Sequence, residues 1–229
     1  MTVQTDLWGA RAHPPAPDID LRRCDVAEVL AECRGAALVH ADPPWSDYTQ
    51  RLGDANPDEH YDVLSWGDID EHLTASHACA APDARIALWT CWPLLAERVA
   101  KGKRVLPGRG WTWKTGGSWH KTGSAGVGHH WLGRSEPIWV GVKGSPGRDT
   151  SINLGNAHAS PRTDHSEKPA EWLEAMLLRW TSPGDLVLDL YAGLAPLARA
   201  CKATGRRYIG AEIDPERHQT AMARLWGAR

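Results

Sequence analysis

Three short apolar runs, each ending at an acidic residue, constrain the fold more than any other feature of this sequence. The runs precede Asp42, Asp189 and Glu212, and their length and lack of helical spacing predict buried strands. A turn at Gly193 and a helical pattern separate the last two runs, whose acids lie about twenty positions apart, as in a dinucleotide-type strand–helix–strand unit. Ligands bind at the carboxyl ends of strands in open α/β sheets. The sequence therefore predicts an α/β fold with acidic side chains at one binding edge.

The segment Asp42-Pro43-Pro44-Trp45 is the strongest candidate for chemistry. Each proline fixes its own φ and biases the preceding residue away from helix, so the turn holds the Asp42 carboxylate and the Pro43 carbonyl in place. A rigid pair of acceptors beside an aromatic ring suits a flat base with an exocyclic amine. The alternative is a proline-rich turn that carries an ordinary surface aspartate.

Local charge points to a polyanionic partner, although the net charge is only −2. Residues 98–148 contain ten Lys or Arg and a single acid, Glu136, with Trp residues interleaved. Such a pattern is typical of a surface that holds a phosphodiester backbone, and a solvated basic loop is the alternative. The candidate nucleic-acid-binding residues are Lys114, Trp119, His120, Lys121, His129, His130 and Arg134.

No metal site is predicted. The five Cys residues form no C-x-x-C pair, which fits reduced thiols. Two adjacent histidines, His129 and His130, point in different directions in most backbones. Since no targeting pattern and no run of about 18 apolar residues is present, we expect a soluble cytoplasmic protein without membrane contact.

The length predicts one domain. Residues 1–20 are expected to form an arm and residues 21–229 a single domain, with substrate-binding loops at about 46–61 and 115–130. Residues 46–84 hold nine acids and one basic residue, followed by the basic segment 98–148. This charge reversal permits the hypothesis of a homodimer formed by complementary self-association.

An ordered set of motifs resembles the S-adenosylmethionine-dependent amino-methyltransferases of the permuted (beta) class. The chain is similar to the family of eukaryotic mRNA N6-adenosine methyltransferases and its bacterial and phage relatives, and its C-terminal part looks more like the permuted bacterial DNA adenine methyltransferases. The motifs run from Cys24-Asp25-Val26 through Ala41-Asp42-Pro43-Pro44-Trp45, Gly128-His129-His130-Trp131-Leu132, Val140-Gly141-Val142-Lys143-Gly144 and Glu167-Lys168-Pro169 to Gly210-Ala211-Glu212.

The resemblance implies a Rossmann-like methyltransferase fold: a mainly parallel seven-stranded sheet with helices on both faces and permuted motif order. It implies methyl transfer to the N6 amine of adenine in DNA, in a bacterial or phage-infected cell. Asp42 and the Pro43 carbonyl would orient the amine, Pro44 would complete the turn, and Trp45 would stack on the base. The implied cofactor-binding residues are Asp25, Lys168, Asp189, Tyr191, Gly193 and Glu212, of which Asp25 also fits an ordinary N-cap.

One departure from the family pattern concerns the turn after Gly193. Leu194, Ala195 and Pro196 stand where small Gly or Ser residues are usual, and Pro196 has no N–H to donate. This turn keeps open the alternative of a catalytically silent nucleic-acid-binding subunit, and the motifs shared with the mRNA enzymes keep open the same reaction on RNA. Cytosine N4 methylation is disfavoured, because those enzymes usually carry Ser at the position of Asp42.

Overall fold

The computed structural model describes residues 18–45, 63–123, 130–162 and 167–227. The strands in this part of the chain are β1 (Ile19–Arg22), β2 (Ala36–Ala41), β3 (Ala80–Trp89), β4 (Thr112–Thr122), β5 (Ser135–Lys143), β6 (Ala157–Pro161), β7 (Leu186–Asp189) and β8 (Arg207–Ala211). The helices are α1 (Val26–Glu32), α2 (Trp66–Cys79), α3 (Trp92–Ala100), α4 (Ala170–Trp180), α5 (Pro196–Thr204) and α6 (Pro215–Trp226). None of these helices is both long and apolar enough to cross a membrane.

All eight strands form one sheet in the order β1-β8-β7-β2-β3-β5-β4-β6. The first five strands in this order are parallel, β5 is antiparallel to both of its neighbours, and β6 is parallel to β4. The predicted α/β fold with a mainly parallel sheet is confirmed, and the described residues supply eight strands where seven were expected. The carboxyl ends of β1, β8, β7, β2 and β3 therefore lie along one edge.

Helices cover both faces of the sheet, as predicted. Successive residues of a strand point to opposite faces, so Leu38 packs in one core cluster and its neighbour Val39 in the other. The cluster around Leu38 contains buried residues of α4, α5 and α6, and the cluster around Val39 contains those of α1 and α2. Burial on both faces explains why the central strands are apolar throughout.

Local sequence signals set several helix ends. Ser65 caps α2, which covers residues 66–79, with a capping box to Asp68. Gly205 ends α5 in the left-handed region, with φ of 73°, as its position after the helical pattern predicts.

The prediction of a loop at 115–130 is wrong for residues 115–122, which belong to β4 and pair with β5 and β6. The glycines that resemble a loop allow close approach within the sheet. A Cβ at Gly116 would lie 3.0 Å from the Trp139 ring, and one at Gly117 would lie 2.6 Å from the Asn156 carbonyl oxygen. Residues 124–129 and the predicted loop at 46–61 lie outside the described residues.

The predicted arm at residues 1–20 ends earlier than expected. Ile19 and Asp20 belong to β1 and pair with Tyr208 and Ile209 of β8. The remainder of the arm, residues 1–17, lies outside the described residues.

A buried hydrogen-bond chain joins four neighbouring strands below the binding edge. The Trp89 indole donates to His40 Nε2 at 3.0 Å, His40 Nδ1 lies 2.9 Å from Asp189 Oδ1, and the Tyr208 hydroxyl donates to Asp189 Oδ2 at 3.0 Å. Because an indole N–H only donates, His40 Nε2 accepts and Nδ1 carries the proton that is donated to Asp189. Burial and the Asp189 charge raise the pKa of Tyr208 well above its ordinary value, so its hydroxyl stays a donor.

We predict that Gly210→Ala destabilises the fold by about 1–3 kcal/mol, the typical cost of overpacking. A Cβ at Gly210 would lie 2.2 Å from the Tyr208 hydroxyl oxygen and 2.6 Å from Cζ, so the ring must leave its position and its bond to Asp189. The measurement is the free energy of unfolding in urea. Gly147→Ala is the matched control, because a Cβ at Gly147 meets no atom within 4 Å; an equal effect of the two substitutions would contradict the prediction.

Candidate active site

The Asp42–Trp45 turn follows β2 at the carboxyl edge and is held from both sides. The Pro44 carbonyl accepts from Leu64 N at 2.9 Å, and the Trp45 indole donates to the Trp89 carbonyl at 3.3 Å. Pro43 is buried, while the Asp42 side chain keeps 25% of its surface exposed. The turn therefore holds a partly exposed carboxylate on a backbone that its neighbours fix.

Four charged side chains of alternating sign extend from Asp42 into the protein. Lys168 Nζ, just before α4, lies 2.5 Å from Asp42 Oδ2 and 3.3 Å from Glu136 Oε2, and Lys121 of β4 forms an ion pair with the other Glu136 oxygen. The Lys168 ammonium also lies 5.3 Å from the centre of the Trp89 ring. Buried charges persist when they are paired, and here each carboxylate has a cation.

The pairing and the burial act in opposite directions on these groups. Burial raises the pKa of Asp42 above its ordinary value, and the Lys168 charge offsets only part of that effect. Burial alone would also raise the pKa of Glu136, but Lys168 and Lys121 together bring it below the ordinary value. Burial would lower the pKa of Lys168, but the two carboxylates raise it, so Lys168 stays charged. The surroundings thus oppose ionisation of Asp42 and favour ionisation of Glu136.

A stack of planar groups supports Trp45. The Trp66 ring, at the start of α2, lies 5.9 Å from the Trp45 ring with 33° between the planes, and the Arg98 guanidinium lies 3.3 Å from the centre of Trp66. No local pattern connects Trp66 or Arg98 with Trp45, because these residues are distant in the chain.

Glu212 and Asp25 lie at the ends of the two strands farthest from β3 on this edge. Glu212 follows β8 and accepts from Gly193 N at 2.7 Å and from Asp214 N at 2.8 Å. Burial raises its pKa to about 7. Asp25 follows β1 and is the N-cap of α1, accepting from Ala27 N at 2.8 Å, as its alternative interpretation predicts.

Tyr191 lies between these carboxylates and α2. Its hydroxyl is 2.9 Å from His72 Nδ1. Burial raises the pKa of Tyr191, and the charge of Asp25 adds to this shift. Its hydroxyl therefore stays protonated and joins the segment after β7 to α2.

Two of the predicted cofactor contacts need correction. Asp189 is 1% exposed, and its two oxygens are engaged by His40 and Tyr208, so it fixes the strands and is not presented to a ligand. The Gly193 N–H points to Glu212, so its expected backbone contact acts through that carboxylate. Both corrections follow from side chains that are brought together across the sheet.

The unusual turn after Gly193 directs its bulk inward. Leu194 is 9% exposed and Ala195 has no exposed surface. Pro196 is in the first turn of α5, where a missing N–H costs no intrahelical bond. Ala195 has a left-handed φ of 53°, a strained conformation for a residue other than glycine. The departure from the family pattern thus changes the core beneath the turn.

The predicted nucleic-acid contacts divide into two groups. Trp119 is 2% exposed and donates to Ser160 Oγ at 2.9 Å, and Lys121 is 6% exposed and paired with Glu136, so neither is available to a nucleic acid and both predictions are wrong. The cause is that β4 is an interior strand of the sheet. The glycine-rich sequence of β4 lacks the clear alternation of polar and apolar residues that would have predicted this. The exposed candidates are Lys114, His120, His130 and Arg134, and His129 lies outside the described residues.

These exposed residues do not form a single patch. Lys114 lies near the start of β4 and His120 near its end, a separation of about 20 Å along a strand. Lys143 of the basic segment donates to the His77 and Ala80 carbonyls at 2.8 and 2.9 Å and so caps the end of α2. His120, His130 and Arg134 lie at the end of the sheet that carries Asp42.

The edge as a whole presents a row of polar groups. Asp25, Glu212, Gly193 and Asp42 follow β1, β8, β7 and β2, which are consecutive in the sheet. Three strand spacings make this row about 15 Å long. A carboxylate at each end, a carboxylate in the middle and the Lys168 cation beside Asp42 fit an extended nucleoside that carries an amino-acid group.

We predict that Lys168→Met destabilises the protein by about 3 kcal/mol at pH 7, because it leaves the Asp42 and Glu136 carboxylates without this cation. With Lys168 present the pKa of Asp42 is already above its ordinary value, and removal of the ammonium raises it further, so the penalty is present at neutral pH and shrinks as the pH falls towards the ordinary pKa of an Asp. Urea unfolding at pH 7 and pH 4.5 measures the change. The exposed Lys114→Met is the control, and a penalty that does not depend on pH would contradict the prediction.

Comparison with known proteins identifies the family. The family model described as DNA methylase matches residues 90–223, more than half of the chain. The putative methylase YubD of Escherichia coli is 32% identical over 95 residues, which cover 40% of this chain and 42% of that protein. The DNA adenine methyltransferase YhdJ of Escherichia coli is 37% identical over 60 residues, which cover 26% of this chain and 20% of that protein. The matches span less than half the length of either relative.

Solved structures share the fold along nearly the whole chain. The M1.HpyAVI–SAM complex superposes with a TM-score of 0.66 at 19% identity, covering 90% of this chain and 99% of that one. The PvuII DNA methyltransferase, which is cytosine-N4-specific, superposes with a TM-score of 0.65 at 14% identity, covering 93% of this chain and 89% of that one. By the match of the family model over more than half of its length, this chain belongs to the DNA methylase family.

Proposed function

We propose that this protein transfers a methyl group from S-adenosylmethionine to the N6 amine of adenine in DNA. The observation that carries the proposal is the position of Asp42, a partly exposed carboxylate at the end of the row of polar groups that starts at Asp25 and next to the turn whose Trp45 contacts Trp66. A methyl donor and a flat base can therefore meet at one carboxylate. Membership of the DNA methylase family supports DNA as the polymer.

The residues along the edge fit S-adenosylmethionine. We assign the Asp25 carboxylate to the adenine amine, Glu212 to the ribose hydroxyls and Lys168 to the methionine carboxylate. In the first two assignments a carboxylate accepts from donor groups of the cofactor, and in the third a cation pairs with an anion. Lys168 can bind the methionine carboxylate in addition to its protein partners because an ammonium has three donors. When bound, S-adenosylmethionine supplies an electrophilic methyl group on a sulfonium.

The protein's own residues would orient the target amine. Lys168 holds Asp42 Oδ2, so we assign Oδ1 to one amine N–H and the Pro43 carbonyl to the other. Hydrogen bonds from both N–H groups to these acceptors draw the nitrogen lone pair out of conjugation and point it at the methyl group. As the N–C bond forms and the S–C bond breaks, the amine loses a proton, for which the Asp42 carboxylate is the acceptor at hand. Alignment and placed acceptors supply most of the rate enhancement.

Cytosine N4 methylation is the second candidate, since the PvuII enzyme of the same fold is cytosine-N4-specific. Adenine is favoured because Asp42 occupies a position where the cytosine enzymes usually carry Ser. The similarity to the DNA adenine methyltransferase YhdJ supports the same choice.

The hypothesis of a homodimer through opposite charges receives less support. Arg104 of the basic segment pairs with Asp70 of the acidic segment in the same chain, and Gly108 N donates to Asp70 Oδ1 at 2.6 Å. At least this part of the complementary charge is used within one molecule.

A methyl-transfer assay with labelled S-adenosylmethionine tests the proposed function. We expect label on adenine in unmethylated genomic DNA, and Asp42→Asn should lower the rate by more than about 100-fold while leaving cofactor binding measurable, because it removes the carboxylate acceptor. Digestion to nucleosides separates N6-methyladenine from N4-methylcytosine, and an RNA arm tests the other polymer. Label on cytosine or on RNA alone would replace the proposal, and undiminished activity of the variant would remove Asp42 from the chemistry.

We predict that cofactor affinity rises with pH through about 7. Burial raises the pKa of Glu212 to about 7, and hydroxyl donors favour the ionised form, so binding should release a proton. Below pH 6 the neutral carboxyl must first ionise and affinity falls; above pH 8 it is constant. Calorimetry in two buffers of different ionisation enthalpy measures the proton release. Glu212→Gln should bind more weakly and without this pH dependence, and proton release that persists in the variant would contradict the assignment.

A further inference from the structure

We propose that Trp131 and Leu132 form a wedge that enters the base stack of a DNA duplex beside the target base, and this inference rests on the proposed function. The two side chains are 86% and 62% exposed, respectively. Large apolar side chains at this level of exposure, adjacent in sequence, mark a contact surface more often than a structural feature.

The wedge lies at the catalytic edge of the sheet. Trp131 and Leu132 shortly precede β5, whose second residue, Glu136, contacts Lys168 and through it Asp42. The strand position of Ser135 is opposite His120, near the end of β4. A DNA duplex that delivers a base to Asp42 therefore passes close to Trp131.

Hydrogen bonds anchor the segment behind the wedge. Arg134 donates from its guanidinium to the Gly123 carbonyl at 2.9 Å, and its own carbonyl accepts from Lys121 N at 2.7 Å. The exposed Trp92 ring donates to Ser135 Oγ at 2.9 Å. These bonds join the segment that carries the wedge to β4 and α3, so the sheet holds Trp131 in place when it contacts DNA.

The surrounding charge favours a nucleic acid over an apolar protein partner. His120, His130 and Arg134 are exposed around the wedge. The acid of this segment, Glu136, is turned inward and paired with Lys121 and Lys168. Phosphates on either side of the entry point would thus meet cationic or neutral groups, as an apolar wedge with basic flanks requires.

The partial burial of Asp42 creates the need for such a wedge. A base inside a duplex cannot reach a carboxylate that is three-quarters covered and paired with Lys168, so it must leave the stack. The base steps that it leaves would close again unless another planar or apolar group separates them. Trp131 supplies the planar surface and Leu132 the apolar bulk.

Comparison of native and heat-denatured DNA tests the wedge. With unmethylated genomic DNA as the probe, Trp131→Ala/Leu132→Ala should lose about 10- to 100-fold in kcat/KM on the native duplex, the range that stacking energies imply, and less than about threefold on the denatured strands. Trp131→Phe should restore most of the duplex activity, since it keeps a stacking ring. Trp226→Ala, which removes a ring 49% exposed at the end of α6, is the matched control. Equal losses on the two substrates, or no loss on the duplex, would overturn the proposal.

A second measurement does not depend on methyl transfer. Insertion of a side chain between base pairs unwinds a duplex, so binding of the wild-type protein to closed circular DNA during relaxation by a topoisomerase should change the linking number, and the double variant should not. A wild-type protein that unwinds the circle but methylates no DNA would reject the proposed function and keep the wedge. A wild-type protein that binds the circle without unwinding it would reject the wedge, whichever base is methylated. Binding of a protein partner through Trp131 with no effect on DNA would have the same consequence.

Discussion

The hydrogen bond between His40 of β2 and Asp189 of β7 is the interaction on which the binding edge depends. Trp89 and Tyr208 extend it to β3 and β8, so four strands are bonded to one another through side chains as well as through the backbone. The bond lies two residues before Asp42 and just before the turn that carries Tyr191 and Gly193. A buried hydrogen-bond network whose groups are all satisfied specifies one arrangement of the side chains that form it. Here it sets the register of the four strands, and so the relative positions of the strand ends from which the site is built.

The electrostatic environment of Asp42 follows from the same packing. Lys121, Glu136, Lys168 and Asp42 come from four separate segments, and each charge is compensated by the next. A lone buried Asp would be protonated and would serve poorly as an acceptor; a strongly paired one would be held by its cation. Because the Lys168 ammonium also contacts Glu136, it compensates the charge of Asp42 only in part. This sharing leaves the carboxylate able to accept a hydrogen bond from a neutral amine.

The helices and strands and the Asp42–Trp45 turn were predictable because their signals are local. The capping box at Ser65, the glycine at 205 and the apolar runs before Asp42, Asp189 and Glu212 each act within a few residues. The resemblance added the order of the motifs. By contrast, Trp119 and Lys121 were misassigned to the DNA surface, and Glu136 was not recognised as part of the site, because the burial of a residue in β4 or β5 depends on which strands lie beside it.

The sequence by itself determined the α/β fold, most helix ends, the family resemblance and the position of the Asp42–Trp45 turn at a strand end. Only the tertiary structure decided what each polar group does there. It placed Asp189 inside the sheet with His40 and Tyr208, gave Lys168 to Asp42 and Glu136, and left Trp131 and Leu132 in solvent. The physical reason is that helix caps and periodicity arise from contacts a few residues apart, whereas charge pairing and burial arise between strands that are distant in the chain.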